Sequence, residues 1–276
     1  MSNSSLSSVA SSLQASFENS DLLNEQDSTA YSEKYFDALY SDNTDPWQYQ
    51  TRWYEKRKRD MCLAVLPQAN YRNAIELGCG NGVFSELLAK RCESLLSIDG
   101  NNQAVQLARL RMAQCSHVKV MQGIIPDALF NLNNDEHSNT SHLAYRDGSV
   151  DTTSFDLIVI SEILYYLSPK DIDAVIDWIS KHLAQGGTLL CCHWRYDIEG
   201  FEMNGEIVHQ RLYQALNTID STSNSTTIND THQTNQLSSS NTKVTFIHQS
   251  QLIDSDFLLD IWQNSSDTVA MSERLV

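Results

Sequence analysis

Through the middle of the chain, short continuous apolar runs alternate with segments whose apolar residues recur every three or four positions. That is the pattern of a parallel sheet covered by helices on both faces. The runs predict strands at Asn73–Leu77, Ser94–Ile98, Val118–Gln122, Phe155–Ser161 and Thr188–His193. Helical patterns fill the gaps at Val83–Cys92, Asn101–Gln114 and Pro169–Leu183. In the last of these, Ile172, Val175, Ile176, Ile179 and Leu183 share one face, and Pro169 occupies the first turn, where its missing N–H costs nothing. Gly186-Gly187 is expected to end that helix and turn the chain into the fifth strand.

Beyond residue 242 two further apolar runs, Val244–Gln251 and Phe257–Trp262, are joined by a short polar turn and predict an antiparallel pair closing one edge of the sheet. Upstream, Ser32–Tyr40 and Trp53–Leu66 read as helices that pack over the sheet's ligand-binding end. The expected architecture is a doubly wound, Rossmann-like α/β fold of seven strands, mostly parallel with an antiparallel edge pair. A Ser- and Asn-rich tail at 1–30 precedes the N-terminal helices at 31–70, and the α/β domain spans 71–263. Polar, low-complexity stretches at about 131–153 and 218–242 read as surface insertions, and 264–276 as a mobile tail.

A net charge of −16 disfavours a surface that tracks nucleic acid or anionic lipid, since both need clustered Lys and Arg. The one basic stretch, Lys56, Arg57, Lys58 and Arg59, lies on the helix expected over the ligand end, where it could face an anionic or carboxylate group. No apolar run approaches the roughly 20 residues of a membrane span, and the first residues lack the basic start and apolar stretch of a leader. A cytoplasmic protein with no membrane partner is expected. The six cysteines show no CxxC spacing, and four lie within expected strands or core helices, so reduced and mostly buried thiols are expected rather than disulfides or zinc. The eight histidines show no ligand spacing either, and no metal is expected.

The segment carrying chemistry is Glu76-Leu77-Gly78-Cys79-Gly80-Asn81-Gly82, directly after one strand and directly before a helix. Glycines at alternate positions let the backbone turn sharply and approach a ligand where a Cβ would collide. The spacing is GxGxG rather than the GxGxxG that seats a pyrophosphate, which disfavours a dinucleotide oxidoreductase. Glu76, just before the first glycine, would repel phosphate but could organise a cationic amino group. About 20 residues on, Asp99 and Gly100 end the second strand, where an acid can accept both ribose hydroxyls of an adenosine. Gly123 and Ile124 end the third strand, where an adenine ring is expected to lie. Ser161, Glu162 and Tyr165 end the fourth, and His193 with Trp194 ends the fifth, all expected on the reacting side of the crevice. Glu162 and His193 are the candidate proton acceptors.

These residues resemble the class I S-adenosylmethionine-dependent methyltransferases. Asp45-Pro46-Trp47, Trp53 to Lys58 (WYEKRK), the glycine segment, Ser161 to Leu167 (SEILYYL), His193-Trp194-Arg195 and Asp256 to Trp262 (DFLLDIW) narrow the resemblance to the nodulation protein S (NodS) family, from about residue 31 to 263. The resemblance implies S-adenosyl-L-methionine as cofactor, held at Glu76, Gly78, Cys79, Gly80, Asp99, Gly100, Gly123, Ile124 and Ser161. It also implies that the segment bearing Trp47, Tyr54 and Lys58 closes over it, Lys58 or Arg57 meeting its carboxylate. Members of that family N-methylate the free amine of a deacetylated chitooligosaccharide, which implies an amine on a small-molecule or oligosaccharide acceptor. An O-methyltransferase for a small aromatic acceptor, with Tyr165, Trp194 and Trp47 lining the pocket, and a non-catalytic binding module remain as alternatives.

Overall fold

A computed structural model of the chain describes residues 28–41, 43–132, 154–221 and 246–265, together with Met271 and Arg274. Two helices lead in: α1 (Ser28–Ser41) and α2 (Trp53–Val65). Then β1 (Tyr71–Leu77), α3 (Val83–Leu88), a 3-10 turn (Ala89–Arg91), β2 (Cys92–Asp99), α4 (Asn102–Arg111), β3 (Val118–Gln122) and α5 (Asp127–Phe130) follow. The second half runs β4 (Phe155–Ser161), a 3-10 turn (Leu164–Tyr166), α6 (Pro169–His182), β5 (Leu183–Trp194), α7 (Gly205–Ser221), β6 (Ile247–Ile253) and β7 (Phe257–Gln263).

The seven strands form one sheet in the order β3-β2-β1-β4-β5-β7-β6. Strands β1 to β5 are mutually parallel, and β7 lies antiparallel between β5 and β6. The chain reverses direction across the sheet at β1, and β1, β2 and β4 end side by side there, which is where α/β sheets bind ligands. Strand alternation sorts the core into two layers. Ile75, Ile98, Ile158, Ile160, Leu189 and Cys191 face α5, α6 and α7. Ala74, Leu95, Leu157, Val159, Leu190 and Cys192 face α2 and α3, and α4 adds a patch of its own from Val105, Ala108 and Met112.

The five parallel strands and the closing pair lie where the apolar runs place them: β3 and β4 match to the residue, and the ends of the others are displaced by at most five residues. The helix expected at Val83–Cys92 is shorter: it tightens into the 3-10 turn, and Cys92 already opens β2. Nor do Gly186-Gly187 end α6. The helix stops at His182 and Leu183 pairs with Phe155 as extended backbone, so the glycines lie inside β5, where Gly186 at φ 76° produces a register shift. Helix α7 was not expected. Its buried Val208, Leu212 and Leu216 recur at fours and cover the sheet beside α6, and it runs on into the segment read as the second insertion. The tail expected at 1–30 lies outside the described residues except where α1 opens, and so do most of the insertions expected at 131–153 and 218–242. Asn264, assigned to the C-terminal tail, is buried, exchanges backbone hydrogen bonds with Gly186 and Gly187, and donates its side-chain amide to Leu183 O at 2.9 Å. None of the six cysteines is disulfide-bonded, and five of them are buried. Among the described residues no helix is long and apolar enough to cross a membrane.

Candidate active site

The turn after β1 is built by Gly78 at φ 76° and Gly80 at φ 53°, a region that costs other L-residues about 1–2 kcal/mol. Gly78 is constrained twice, since a Cβ there would lie 2.9 Å from Ile163 Cβ. The amides of Gly78 and Cys79 both donate to Ile98 O, at 2.8 and 3.0 Å, which lashes the turn to the end of β2. Asp99 completes the lashing: one carboxylate oxygen accepts from Gly80 N at 2.8 Å and the other from Asn101 N at 2.9 Å. A carboxylate offers about four acceptor positions, so two stay open on Asp99. Burial pushes its pKa up, and the two amides hold it down. Glu76 lies one layer deeper, taking the hydroxyls of Ser85 (2.5 Å) and Ser97 (2.9 Å) on Oε2, and burial lifts its pKa to about 7.

Beside the turn lies a buried charged cluster. Glu162 follows β4 at φ 60°, a strained conformation for a residue with a Cβ, which delivers its carboxylate to the crevice. Oε1 accepts from Lys58 Nζ at 2.6 Å, and Oε2 accepts from Trp194 N at 3.0 Å and from the Tyr165 hydroxyl. Lys58 also pairs with Glu55 at 3.2 Å. Its pKa rises well above the usual value, the attraction of Glu162 and Glu55 outweighing the opposing cost of burial. Arg59 donates to Tyr49 O at 2.6 Å; its Nε and Nη1 are buried without hydrogen-bond partners, although Nη1 stands 3.8 Å from Glu55 Oε2. Lys58, Glu55, Arg59 and the glycine turn border a cavity of about 40 Å³, lined also by Ser161, Glu162, Glu76 and Gly78.

The N-terminal segment forms an aromatic cover. Trp47 packs against Phe36, Tyr40 and Tyr49, and Phe36 packs edge-on to Tyr166. Two asparagines staple the cover down: Asn81 donates to Thr44 O and Asp45 Oδ1, and Asn101 to Asp37 Oδ1 at 2.8 Å. The hydroxyl of Tyr40 is buried and without a partner, and it would lie 3.4 Å from a Cβ at Gly80. At the other rim, Gly123 N donates to Asp99 O at 2.9 Å, and Ile124 is 43% exposed beside Gly100.

The expected site residues are therefore brought to one end of the sheet, with corrections. His193, expected to face the crevice as a proton acceptor, is fully buried on the opposite face, because it shares strand parity with Leu189 and Cys191. Its Nε2 accepts from Leu164 N at 3.3 Å and its Nδ1 contacts His209 Nε2 at 3.0 Å, so neither nitrogen is open. Arg57 meets Asp254 at 2.5 Å, and Lys58 is occupied by two carboxylates, so neither is open to a cofactor carboxylate. Arg59 is the better placed cation. Tyr54 packs its ring against Trp194 and Phe257, under the Lys58 ammonium. Tyr40 was missed by the sequence reading. Asn81 lay inside the glycine segment and Arg59 inside the basic stretch expected to face an anionic group, but neither was singled out.

A methyltransferase domain family model matches residues 75–189, from inside β1 into β5. A protein from Pseudomonas syringae, solved as a candidate methyltransferase, is 32% identical, with 99% of it and 77% of this chain covered at a TM-score of 0.51. The chain belongs to the class I methyltransferases. Within these methyltransferases it is similar to nodulation protein S of Rhizobium tropici, 31% identical over 148 residues, which are 53% of this chain and 53% of that protein. The match thus spans about half the length of that relative. The N-methyltransferase NodS of Bradyrhizobium japonicum WM9, solved with S-adenosyl-L-homocysteine, shares the methyltransferase fold at a TM-score of 0.58 and 24% identity, with 84% of this chain and 98% of that one covered.

Proposed function

We propose that this chain transfers a methyl group from S-adenosyl-L-methionine to an amine on a small-molecule or oligosaccharide acceptor. The observation that carries the cofactor reading is a group of buried polar atoms that make no hydrogen bond near one turn: Tyr40 Oη, Asn81 Oδ1, and Nε and Nη1 of Arg59, close to the glycine backbone. Buried polar groups are satisfied in nearly all folded proteins, so their concentration here points to a polar ligand. The residues fit the cofactor's chemistry. Arg59 supplies two donors that make no hydrogen bond for its carboxylate, Glu76 a carboxyl for its ammonium, Asp99 two open acceptor positions for its ribose, and Ile124 with Gly100 and Gly123 an apolar rim for adenine. When bound, the cofactor supplies a methyl group on a positively charged sulfur.

The chain's own contribution is alignment and exclusion of water. Three donors on Glu162 leave about one of its four acceptor positions open, which suits an incoming ammonium N–H. Glu162 can orient the amine and receive its proton. Six unpaired cysteines and a net charge of −16 support a cytoplasmic setting without nucleic acid or membrane partners.

The test is incubation of the full chain with S-adenosyl-L-methionine and chitosan oligomers, phosphoethanolamine or spermidine, with products read by mass spectrometry. Methylated amine from one class, lost in Glu162→Ala, supports the reading. Cofactor binding with no transfer to any amine, but transfer to a catechol, refutes the amine.

A further inference from the structure

Beneath Glu162, on the far face of the sheet, lies a line of buried titratable groups that the proposed chemistry does not use. Leu164 N–H points at His193 Nε2 (3.3 Å), His193 Nδ1 meets His209 Nε2 (3.0 Å), His209 Nδ1 meets Asp260 Oδ2, and His248 Nε2 meets Asp260 Oδ1 (2.6 Å). These groups come from four elements: His193 from β5, His209 from α7, Asp260 from β7 and His248 from β6. His193, His209 and Asp260 are almost fully buried, and only His248 reaches toward solvent.

With His193 neutral, one arrangement of protons satisfies this line. The Leu164 amide can only donate, so His193 Nε2 must be bare and its proton must sit on Nδ1. That proton requires a bare His209 Nε2, which puts the His209 proton on Nδ1, pointing at the Asp260 carboxylate. Burial, the neighbouring His209 and the Lys58 charge hold the His193 pKa well below its usual value, consistent with a neutral ring.

The end of the line bears on Glu162 from three sides. Leu164, whose amide it holds, follows two residues after Glu162 in the strained turn. The Tyr165 ring, whose hydroxyl donates to Glu162, lies edge-on to His193 at 5.6 Å. Trp194, whose amide donates to Glu162, is the residue after His193. We propose that His193, His209, Asp260 and His248 form a positioning relay, anchored by Asp260, that fixes the turn presenting Glu162 to the methyl acceptor. They are positioning residues, since none touches the crevice. The relay's role in methyl transfer rests on the function proposed above; its effect on Glu162 can be judged separately. The titratable groups acting on His193 are His209 from α7 and Lys58 from α2, with the Tyr165 ring edge-on to it and Asp260 and His248 one step farther along.

The experiment is nuclear magnetic resonance on the ¹⁵N-labelled full chain, wild type, His193→Gln and His193→Leu. It records histidine ring tautomers, exchange of the Leu164 amide and the Lys58 ammonium signal, with S-adenosyl-L-homocysteine binding measured alongside. The wild type is expected to show the Nδ1–H tautomer for His193 between pH 6 and 8. Glutamine can both accept and donate, so His193→Gln is expected to keep the Leu164 protection and the Lys58 signal. His193→Leu is expected to speed Leu164 exchange about tenfold or more and to shift or broaden the Lys58 signal. An Nε2–H tautomer for His193, or Leu164 and Lys58 signals indifferent to His193→Leu, overturns the relay. If His193→Leu does not fold, the wild-type tautomers and His193→Gln still decide it. Failure of the wild type to bind S-adenosyl-L-homocysteine would sink the cofactor reading and leave these signals to judge the relay independently.

Discussion

Replacing Lys58 with methionine keeps most of the stem's volume and removes one charge from between two carboxylates. The Lys58 side chain is 4% exposed, and its partners Glu55 and Glu162 are 7% and 14% exposed, so solvent screens the pair only weakly. Removing one member of a buried pair costs about 3–5 kcal/mol, because the remaining charge stays desolvated. The partial exposure of Glu162 argues for the lower end, about 3 kcal/mol, or a melting shift of roughly 6–12 °C for a chain of this size. The loss is pH-dependent. In the wild type, burial already raises the Glu55 pKa while Lys58 opposes it, so the variant's Glu55 should titrate higher still. A carboxyl whose folded pKa is raised gives stability below its unfolded value, and that stability is lost as pH rises through the folded value. The deficit of Lys58→Met should therefore be largest at pH 7 and above and shrink toward pH 5. Urea titrations of both proteins at pH 5, 6, 7 and 8 measure it, and Glu55→Gln in the variant background should restore part of the loss. A deficit under about 1 kcal/mol at pH 7, or one that does not change with pH, would refute the buried-charge reasoning.

Glu76, with its pKa raised to about 7, takes up a proton on folding between the unfolded value and pH 7, so wild-type stability should fall relative to Glu76→Gln by about 3 kcal/mol from pH 5 to pH 8. Parallel stability curves for the two proteins would contradict this. Gly78→Ala places a Cβ 2.9 Å from Ile163 Cβ at φ 76° and should cost about 2 kcal/mol or more in urea titrations, with loss of cofactor binding. Arg59→Met should lower S-adenosyl-L-methionine affinity about tenfold or more in calorimetry, since a charged hydrogen bond contributes about 1.5–3 kcal/mol. An unchanged affinity would move the carboxylate contact elsewhere.

The fold was legible where burial is two-sided. The central strands read as unbroken apolar runs, such as Leu157 to Ile160, because both of their faces are covered. Helix α7 escaped because Val208, Leu212 and Leu216 are sparse, with His209, Gln210, Arg211 and Gln214 among the residues between them, and lie next to a low-complexity stretch. The glycine turn and Asp99 were legible as a local segment with a fixed offset. Arg59 was not, because four consecutive basic residues on one helix give no indication of which points inward until the helix is docked. His193 lost its assigned place to strand parity: one residue from Trp194, it belongs to the other face of the sheet. Its hydrogen bonds to Leu164 and His209 depend on contacts 29 and 16 residues away, beyond what local pattern reports.

The central claim, that the turn from Gly78 to Gly82 with Asp99 binds S-adenosyl-L-methionine, is tested most directly by calorimetric titration of the cofactor into the full chain and into Asp99→Ala. The wild type is expected to show saturable one-to-one binding, and the variant a loss of about tenfold or more, since it gives up a carboxylate that accepts from Gly80 and Asn101. A folded wild-type protein that takes up no cofactor, or a variant that binds as tightly as the wild type, would contradict it.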